Sequence, residues 1–147
     1  MCIRDRSKVL QGARSNENLQ ILHVDNANPS IVAQNIEPST EITKSLVENL
    51  SDGAVLSFGL ESADPRVHKS NWLNCDSNQL KIAIRHINEY GRERGPRGLP
   101  SLLPGLNFIA GLNGETERTY AMNLELLKEL KSEGLWLRRI NIRQVEG

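Results

Sequence analysis

The feature that most constrains the fold is a near-continuous apolar run at residues 54–60, which stops abruptly at Glu61 and Ser62. An apolar run of this length is typical of a parallel strand that is buried on both faces. Residues 19–24 and 106–111 form similar runs, and polar residues follow each of them. In parallel α/β folds, polar groups at the carboxyl ends of strands build the ligand site. We therefore expect three strand ends that share one binding edge.

Three segments with the apolar spacing of amphipathic helices separate or follow these runs. Ser39 is the expected N-cap of the first, Asp76 with Gln79 forms a capping pair for the second, and the third spans residues 117–133. The residues expected to face the sheet are Ile42, Leu46, Val47 and Leu50 in the first helix, Leu80, Ala83, Ile84 and Ile87 in the second, and Tyr120, Leu124, Leu127 and Leu130 in the third.

A last strand is expected at residues 137–145, where Ile140 and Ile142 alternate with Asn141 and Arg143. The resulting order is β-α-β-α-β-α-β, which predicts an α/β fold with a parallel sheet and helices packed outside it. Four strands are too few to close a barrel, so we interpret the chain as a fragment of a larger α/β barrel.

Charge and cysteine content narrow the functional classes. Lys plus Arg and Asp plus Glu both number 18, so no net charge attracts the chain to nucleic acid or to an anionic membrane. The arginines at 92, 94 and 97 lie in a loop rich in glycine and proline without interleaved aromatic residues, which indicates a solvated segment and does not favour nucleic-acid binding there. No apolar stretch reaches the length of a membrane span. Cys2 and Cys75 give no disulfide framework, so we expect a cytoplasmic protein.

The two ends of the chain read as boundaries imposed on a longer sequence. Residues 1–6 lack helical periodicity and resemble translated adapter sequence, so they and Cys2 are left out of the fold prediction. Residues 7–147 are expected to form a partial domain that is truncated at both ends.

Four segments in order, at residues 23–29, 59–67, 108–116 and 138–145, resemble those of one known superfamily, the radical S-adenosylmethionine (radical SAM) enzymes. Residues 59–67, GLESADPRV, resemble the G-[VL]-E-S segment after the fourth strand, and residues 23–29, HVDNANP, resemble the end of the third. Residues 108–116, FIAGLNGET, resemble the fifth-strand signature that ends in G-L-P-G-E-T, with Asn113 in place of proline. Residues 138–145 are similar to strand six of a largely archaeal subgroup with a core like that of tRNA-modifying members. The resemblance implies strands three to six of a parallel partial (βα)6 TIM-like barrel.

The resemblance also implies an activity and its cofactors. In such enzymes a [4Fe-4S] cluster donates an electron to bound S-adenosylmethionine, and the 5′-deoxyadenosyl radical then takes hydrogen from a substrate, which here is unknown. It further implies an electron donor such as ferredoxin or flavodoxin. The Cys-x-x-x-Cys-x-x-Cys motif that supplies the cluster thiolates is absent. We therefore expect the cluster ligands upstream, assign no metal ligand in this chain, and predict that the chain alone is inactive.

Four residues are implied as cofactor-binding: Asp25, Glu61, Ser62 and Asn107. A carboxylate such as Glu61 accepts hydrogen bonds from ribose hydroxyls well in a closed site. Each residue also has a structural interpretation. Asp25 is a residue type that forms an Asx-turn, Glu61 could form a helix cap or a salt bridge, and Ser62 could form a local cap. Asn107 fits a hydrogen bond inside the sheet.

Asn141 and Arg143 are candidates for substrate binding, provided that Ile140 and Ile142 pack under the helices. Leu73 and Asn74 stand where related enzymes often carry Arg or Lys, which leaves the partner of the cofactor carboxylate open. The indole rings at 72 and 136 are expected to be packing anchors.

Two other functional classes remain possible on the sequence. One is an ordinary (βα)8-barrel enzyme, although no lysine closes a strand for Schiff-base chemistry and the histidines lack metal-site spacing. The other is a non-catalytic binding module without a cluster.

Overall fold

The computed structural model describes residues 3–145, so the predictions that concern Cys2 and the last two residues fall outside it. The described part contains six helices and four strands. In chain order they are α1 (Ile3–Arg14), β1 (Asn26–Ala27), α2 (Pro29–Gln34), α3 (Ile36–Asn49), β2 (Ala54–Glu61), α4 (Pro65–Asn71), α5 (Ser77–Gly91), β3 (Leu102–Ala110), α6 (Glu117–Ser132) and β4 (Arg139–Gln144).

The four strands form one sheet in the order β1-β2-β3-β4, and every pair is parallel. This confirms the predicted α/β class and the parallel sheet. β1 contributes only two residues to the ladder, whereas β2 and β3 pair along most of their length. None of the described helices has the combination of length and apolar character needed to cross a bilayer.

The core lies between one face of the sheet and the helices α3, α5 and α6. Phe58 of β2 and Leu106 of β3 are register partners and are fully buried. The predicted face of α5, formed by Leu80, Ala83, Ile84 and Ile87, is also fully buried, which confirms its assignment. The capping box predicted from Asp76 and Gln79 is present, with hydrogen bonds of 2.8 and 3.2 Å. Local signals therefore defined this helix completely.

The strand predicted at residues 19–24 is wrong. Leu22 bonds to the loop before β2 instead of to a strand: its N–H donates to Ser51 Oγ (3.0 Å), and its carbonyl accepts from the Ser51 N–H (2.9 Å). Because a serine side chain replaces a backbone partner, no regular ladder forms there. Regular pairing begins only at Asn26 and Ala27.

Two short helices, α2 and α4, follow strand ends where only turns were expected. Each has an Asx residue as N-cap and proline in the first turn, namely Asn28 before α2 and Asp64 before α4. Proline fits the first turn because its missing N–H would have no helical partner there. The prediction of Ser39 as an N-cap is also wrong, since it lies inside α3, whose N-cap is Asn35. A helix, α1, includes part of the segment set aside as adapter-like.

The predicted face of α6 is partly wrong. Tyr120 and Leu124 are 51% and 53% exposed, whereas Thr119, Leu126 and Leu130 are buried. The buried hydroxyl of Thr119 donates to the carboxylate of Asp64 at 2.8 Å, and this hydrogen bond fits the observed rotation of the helix. A tertiary polar contact thus favours a face that the apolar spacing does not predict.

Candidate ligand-binding site

The sheet face opposite the core carries a polar stretch, which the apolar register pair Val55 and Leu103 precedes and which Ile109, the register partner of Arg143, flanks. Gly59, Asn107 and Asn141 are register partners on three adjacent strands, so their side-chain positions lie side by side on this face. The Asn141 amide donates to Asn107 Oδ1 at 2.8 Å. One pleat earlier, the Arg139 guanidinium donates to Ser57 Oγ at 3.0 Å. We call this surface the polar face, and it consists of Ser57, Gly59, Gly105, Asn107, Arg139, Asn141 and Arg143.

Glu61 is brought to the polar face by an irregularity at the end of β2. The register shifts between Gly59 and Glu61, and Glu61 has a left-handed backbone with φ of 70°. A bulge of this kind re-aims a side chain, and its backbone conformation costs a non-glycine residue about 1–2 kcal/mol. The carboxylate folds back over Gly59 so closely that a Cβ added there would overlap Glu61 Oε1. Gly59 therefore provides the space that this carboxylate occupies.

Two opposing effects act on the pKa of the Glu61 carboxyl group. Burial raises the pKa of Glu61, and the positive charge of Arg143 acts in the opposite direction and lowers it. Because Arg143 shares the polar face with Asn107 and Asn141, these three residues and Glu61 combine a carboxylate, a guanidinium and two amides. Such a set can bind a polar ligand that carries hydroxyl and carbonyl groups.

Ser62 lies beside this group but its hydroxyl is used locally. The side chain is fully buried, and Ser62 Oγ accepts the N–H of Asp64 at 3.1 Å. Asp64 in turn accepts hydrogen bonds from the Arg66 N–H (2.9 Å), the Arg66 guanidinium (3.0 Å) and Thr119 Oγ1 (2.8 Å). The hydrogen bonds from Arg66 hold the pKa of Asp64 well below its usual range. This network anchors the turn that follows Glu61.

Asp25 contributes a backbone group to the sheet. Its carbonyl accepts the Ser57 N–H at 2.9 Å, and its side chain is exposed. The next residue, Asn26, is the register partner of Ser57 and therefore shares the polar face. The structure thus brings together Glu61, Asn107, Asn141 and Arg143, and it places Asn26, which sequence reasoning missed, at the β1 edge of the same face.

A cleft of about 390 Å³ opens on the β1 side of Glu61. It lies between the start of α2 and the segment that follows α4. Its lining residues are Asn26, Ala27, Asn28, Pro29, Gly59, Leu60, Glu61, Trp72, Leu73, Asn74 and Cys75. Trp72 is 89% exposed, so the expectation that it anchors packing is wrong. For Trp136, the other expected packing anchor, the ring centre lies 4.6 Å from the guanidinium carbon of Arg92.

The described residues do not fit an iron–sulfur cluster. Such a cluster takes several thiolates, and Cys75 is the single cysteine within residues 3–145. Burial raises the pKa of the Cys75 thiol to about 12, with the Asp76 charge as a second cause, so its thiolate form is disfavoured. Over this part of the chain, no three His, Cys, Asp or Glu side chains are grouped to hold a metal ion.

Comparison with known proteins finds relatives that are much longer than this chain. No family model matches it. The chain is 44% identical over 138 residues to an uncharacterized protein of Methanocaldococcus jannaschii, an alignment that covers 94% of this chain and 25% of the relative. It is 45% identical over 128 residues to an uncharacterized protein of Archaeoglobus fulgidus, covering 87% of this chain and 24% of the relative. The chain thus spans about a quarter of the length of these relatives.

Proposed function

We propose that the chain is part of a parallel partial (βα)6 barrel of a radical SAM enzyme, which binds S-adenosylmethionine and cleaves it reductively. The observation that carries this proposal is the convergence of Glu61, Asn107, Asn141 and Arg143 on one face of three adjacent parallel strands. The resemblance implied Glu61 and Asn107 as cofactor-binding, and the alternation along the last strand made Asn141 and Arg143 candidates for substrate binding, so the four residues come from three separate segments. Ligand sites of α/β barrels lie at the carboxyl ends of the strands, where residues from several strands come together.

The barrel proposal agrees with the two faces of β4. Ile140 and Ile142 are register partners of Leu106 and Phe108, so they lie on the core face, yet both are exposed. An exposed apolar edge strand needs a cover, and a further βα unit would supply both a strand partner and a helix. In that arrangement the polar face becomes the inner surface of the barrel.

Each site residue has a specific proposed task. Glu61 accepts hydrogen bonds from the ribose hydroxyls of the cofactor, since a partly buried carboxylate is a strong acceptor. The Asn107–Asn141 pair presents a fixed amide edge toward the ligand. The Arg143 charge favours the ionised form of Glu61 by lowering its pKa against the effect of burial, and its guanidinium offers donors to an acidic group. S-adenosylmethionine supplies the radical chemistry when it is bound and reduced, and the protein supplies orientation and exclusion of water.

The cluster ligands are proposed to lie outside this chain, because the described residues do not fit them. We therefore derive no step through the cluster. Its electron donor is proposed to be a ferredoxin or a flavodoxin, which would act on the longer protein.

The test uses the full-length Methanocaldococcus jannaschii relative, reconstituted with iron and sulfide without oxygen. We expect release of 5′-deoxyadenosine from S-adenosylmethionine that depends on a chemical reductant. The control replaces a cysteine of the triplet expected upstream of the matched region with alanine. A relative that lacks any such triplet, or that releases no 5′-deoxyadenosine when reduced, would contradict the proposal and favour a cluster-free binding module.

The Gly59→Ala variant should separate site geometry from folding. The added methyl group would overlap Glu61 Oε1, the free end of a flexible side chain, so the carboxylate moves while the sheet persists. A misplacement of about 1 Å in a catalytic constellation can cost roughly 100-fold in rate. We expect cofactor cleavage by the full-length protein to fall about 100-fold, with a change in unfolding free energy below about 1 kcal/mol. Gly12→Ala, where the methyl group enters open space, is the control. Equal rates for Gly59→Ala and wild type would refute this role.

The Arg143→Gln variant should shift the pH dependence of cofactor binding. The Arg143 charge lowers the pKa of Glu61, so removal of this charge leaves the effect of burial unopposed and raises that pKa further. The carboxylate, which is the form that accepts hydrogen bonds, then persists only at higher pH. We expect the acid limb of the binding profile, measured by calorimetry across pH, to move upward. Arg138→Gln, which removes an exposed arginine outside the polar face, should leave it in place.

A further inference from the structure

Arg139 is a positively charged residue of the polar face that has no counter-charge. Ser57, Gly105 and Arg139 are register partners on β2, β3 and β4. The Arg139 guanidinium donates to Ser57 Oγ at 3.0 Å, so the arginine side chain crosses two strand spacings, about 9–10 Å. Within residues 3–145, no carboxylate oxygen lies within 4.0 Å of this guanidinium.

Gly105 allows the arginine side chain to lie flat across β3. A Cβ added at Gly105 would lie 3.3 Å from Arg139 Cγ, 3.2 Å from Ser57 Oγ and 2.9 Å from Val55 Cγ1. Carbon atoms in favourable contact are about 3.5–4.0 Å apart, so a larger residue would crowd this position. The glycine therefore leaves room for the aliphatic part of Arg139, and Ser57 holds its charged end in place on the sheet.

Arg139 differs in this respect from Arg143, the other arginine of the polar face. The charge of Arg143 acts on Glu61, which is its counter-charge. Together with Glu61, the polar face contains two guanidinium groups and one carboxylate, which leaves one positive charge unbalanced. In the closed barrel of the proposed function this face lies inside, where an unpaired charge is costly. A guanidinium has five N–H donors, and Ser57 Oγ is its one acceptor among the described residues.

Arg139 lies deeper in this face than the proposed cofactor site. The apolar register pair Val55 and Leu103 is one pleat before Ser57. The Glu61 carboxylate covers Gly59, which is one pleat after Ser57, about 7 Å along the strand toward the carboxyl edge. The Arg139 guanidinium thus lies between an apolar base and the cofactor site, and it is not part of the cleft beside Glu61.

We propose that Arg139 binds an oxyanion of the substrate, either a carboxylate or a phosphate group, at the base of the polar face. The planar guanidinium presents its donors as a fork that matches both groups. The Asn107–Asn141 pair, one pleat nearer the carboxyl edge, offers amide contacts to the part of the substrate that extends toward the cofactor. The inference rests on the proposed function, because closure of the barrel encloses this face. It adds a substrate class: an acidic molecule.

Labelling with phenylglyoxal, which modifies accessible arginines, tests this on the full-length protein. Fragmentation mass spectrometry locates the modified residues. We expect Arg139 to react in buffer free of phosphate and carboxylate, and to be protected by inorganic phosphate or by succinate. Protection by phosphate alone assigns a phosphate group, protection by succinate alone assigns a carboxylate, and protection by both supports the oxyanion class. Arg138, which is exposed outside the polar face, is the internal control and should react equally in every sample.

Calorimetric titration with the same two probes measures the contribution of the guanidinium. Arg139→Gln should weaken oxyanion binding about 10- to 150-fold, the range for hydrogen bonds to charged groups. Arg139→Lys keeps the charge but lacks the fork, so it should recover part of this loss. Ser57→Ala keeps the guanidinium but removes the acceptor that holds it, and its loss should be smaller than that of Arg139→Gln.

Two results would overturn the proposal. If Arg139 does not react even without an oxyanion, a group of the longer protein already covers it. If Arg139 reacts but neither phosphate nor succinate protects it, the site does not bind oxyanions. Both measurements work without a cluster and without S-adenosylmethionine. Oxyanion binding without cofactor cleavage would therefore contradict the proposed function alone, and cofactor cleavage without oxyanion binding would contradict this inference alone.

Discussion

Replacement of Gly91 by alanine is expected to lower the free energy of unfolding by about 3 kcal/mol, the upper end of the usual range for overpacking. Gly91 is the last residue of α5, where the helix meets the first residue of β3. An added Cβ would overlap the carbonyl oxygen of Leu102 and would lie 2.8 Å from its carbonyl carbon. These are backbone atoms of a fully buried residue, so no side-chain rotation can relieve the clash.

The matched control is Gly12→Ala, which makes the same chemical change within a helix. A Cβ at Gly12 meets nothing within 4 Å, so the change should stabilise α1 by up to about 1 kcal/mol through helix propensity. Urea denaturation followed by circular dichroism measures both. If Gly91→Ala unfolds at the same urea concentration as the wild type, then α5 and β3 do not approach each other this closely.

Gly91 shows how much a sequence can say about such a position. A glycine directly after an amphipathic pattern is typical of a helix end, and α5 does end at Gly91. The close approach to Leu102, which makes glycine necessary, depends on the packing of a helix against a strand 11 residues later in the chain, and no local pattern encodes it. The same limit explains α6, where Thr119 faces Asp64 across the fold and the expected apolar face is turned toward solvent.

The polar face could be predicted because it depends on a simple periodicity. Alternation along β4 put Asn141 and Arg143 on one side, and parallel register placed Asn107 beside Asn141. The contribution of Asn26 and Trp72 could not be found in this way. Asn26 required the true start of β1, and Trp72 required the left-handed end of a helix that the sequence suggested only as a turn.

Conversion of Glu61 to glutamine should give a large loss of activity. Glutamine keeps the size of the side chain but removes the negative charge, so a charge-assisted hydrogen bond to the ligand becomes a neutral one. Hydrogen bonds to charged groups contribute about 1.5–3 kcal/mol each and neutral ones about 0.5–1.5 kcal/mol each. For the two ribose hydroxyls, the difference amounts to about 2–3 kcal/mol, which corresponds to a loss of about 30- to 150-fold in kcat/KM for cofactor cleavage. The measurement is 5′-deoxyadenosine release by the reconstituted full-length protein.

The stability of the same variant distinguishes a ligand-binding role from a structural one. Burial raises the pKa of Glu61, which means that the fold disfavours its charge, so the neutral glutamine should unfold at or slightly above the wild-type urea midpoint. Since the folded-state pKa is raised, any gain should be present above the unfolded-state pKa and should vanish at pH values below it. Glu125→Gln, on the exposed surface of α6, is the control that changes net charge equally. A wild-type kcat/KM for Glu61→Gln would show that the carboxylate has no role in the site. A loss of activity without a loss of stability would instead show that the negative charge acts on the ligand.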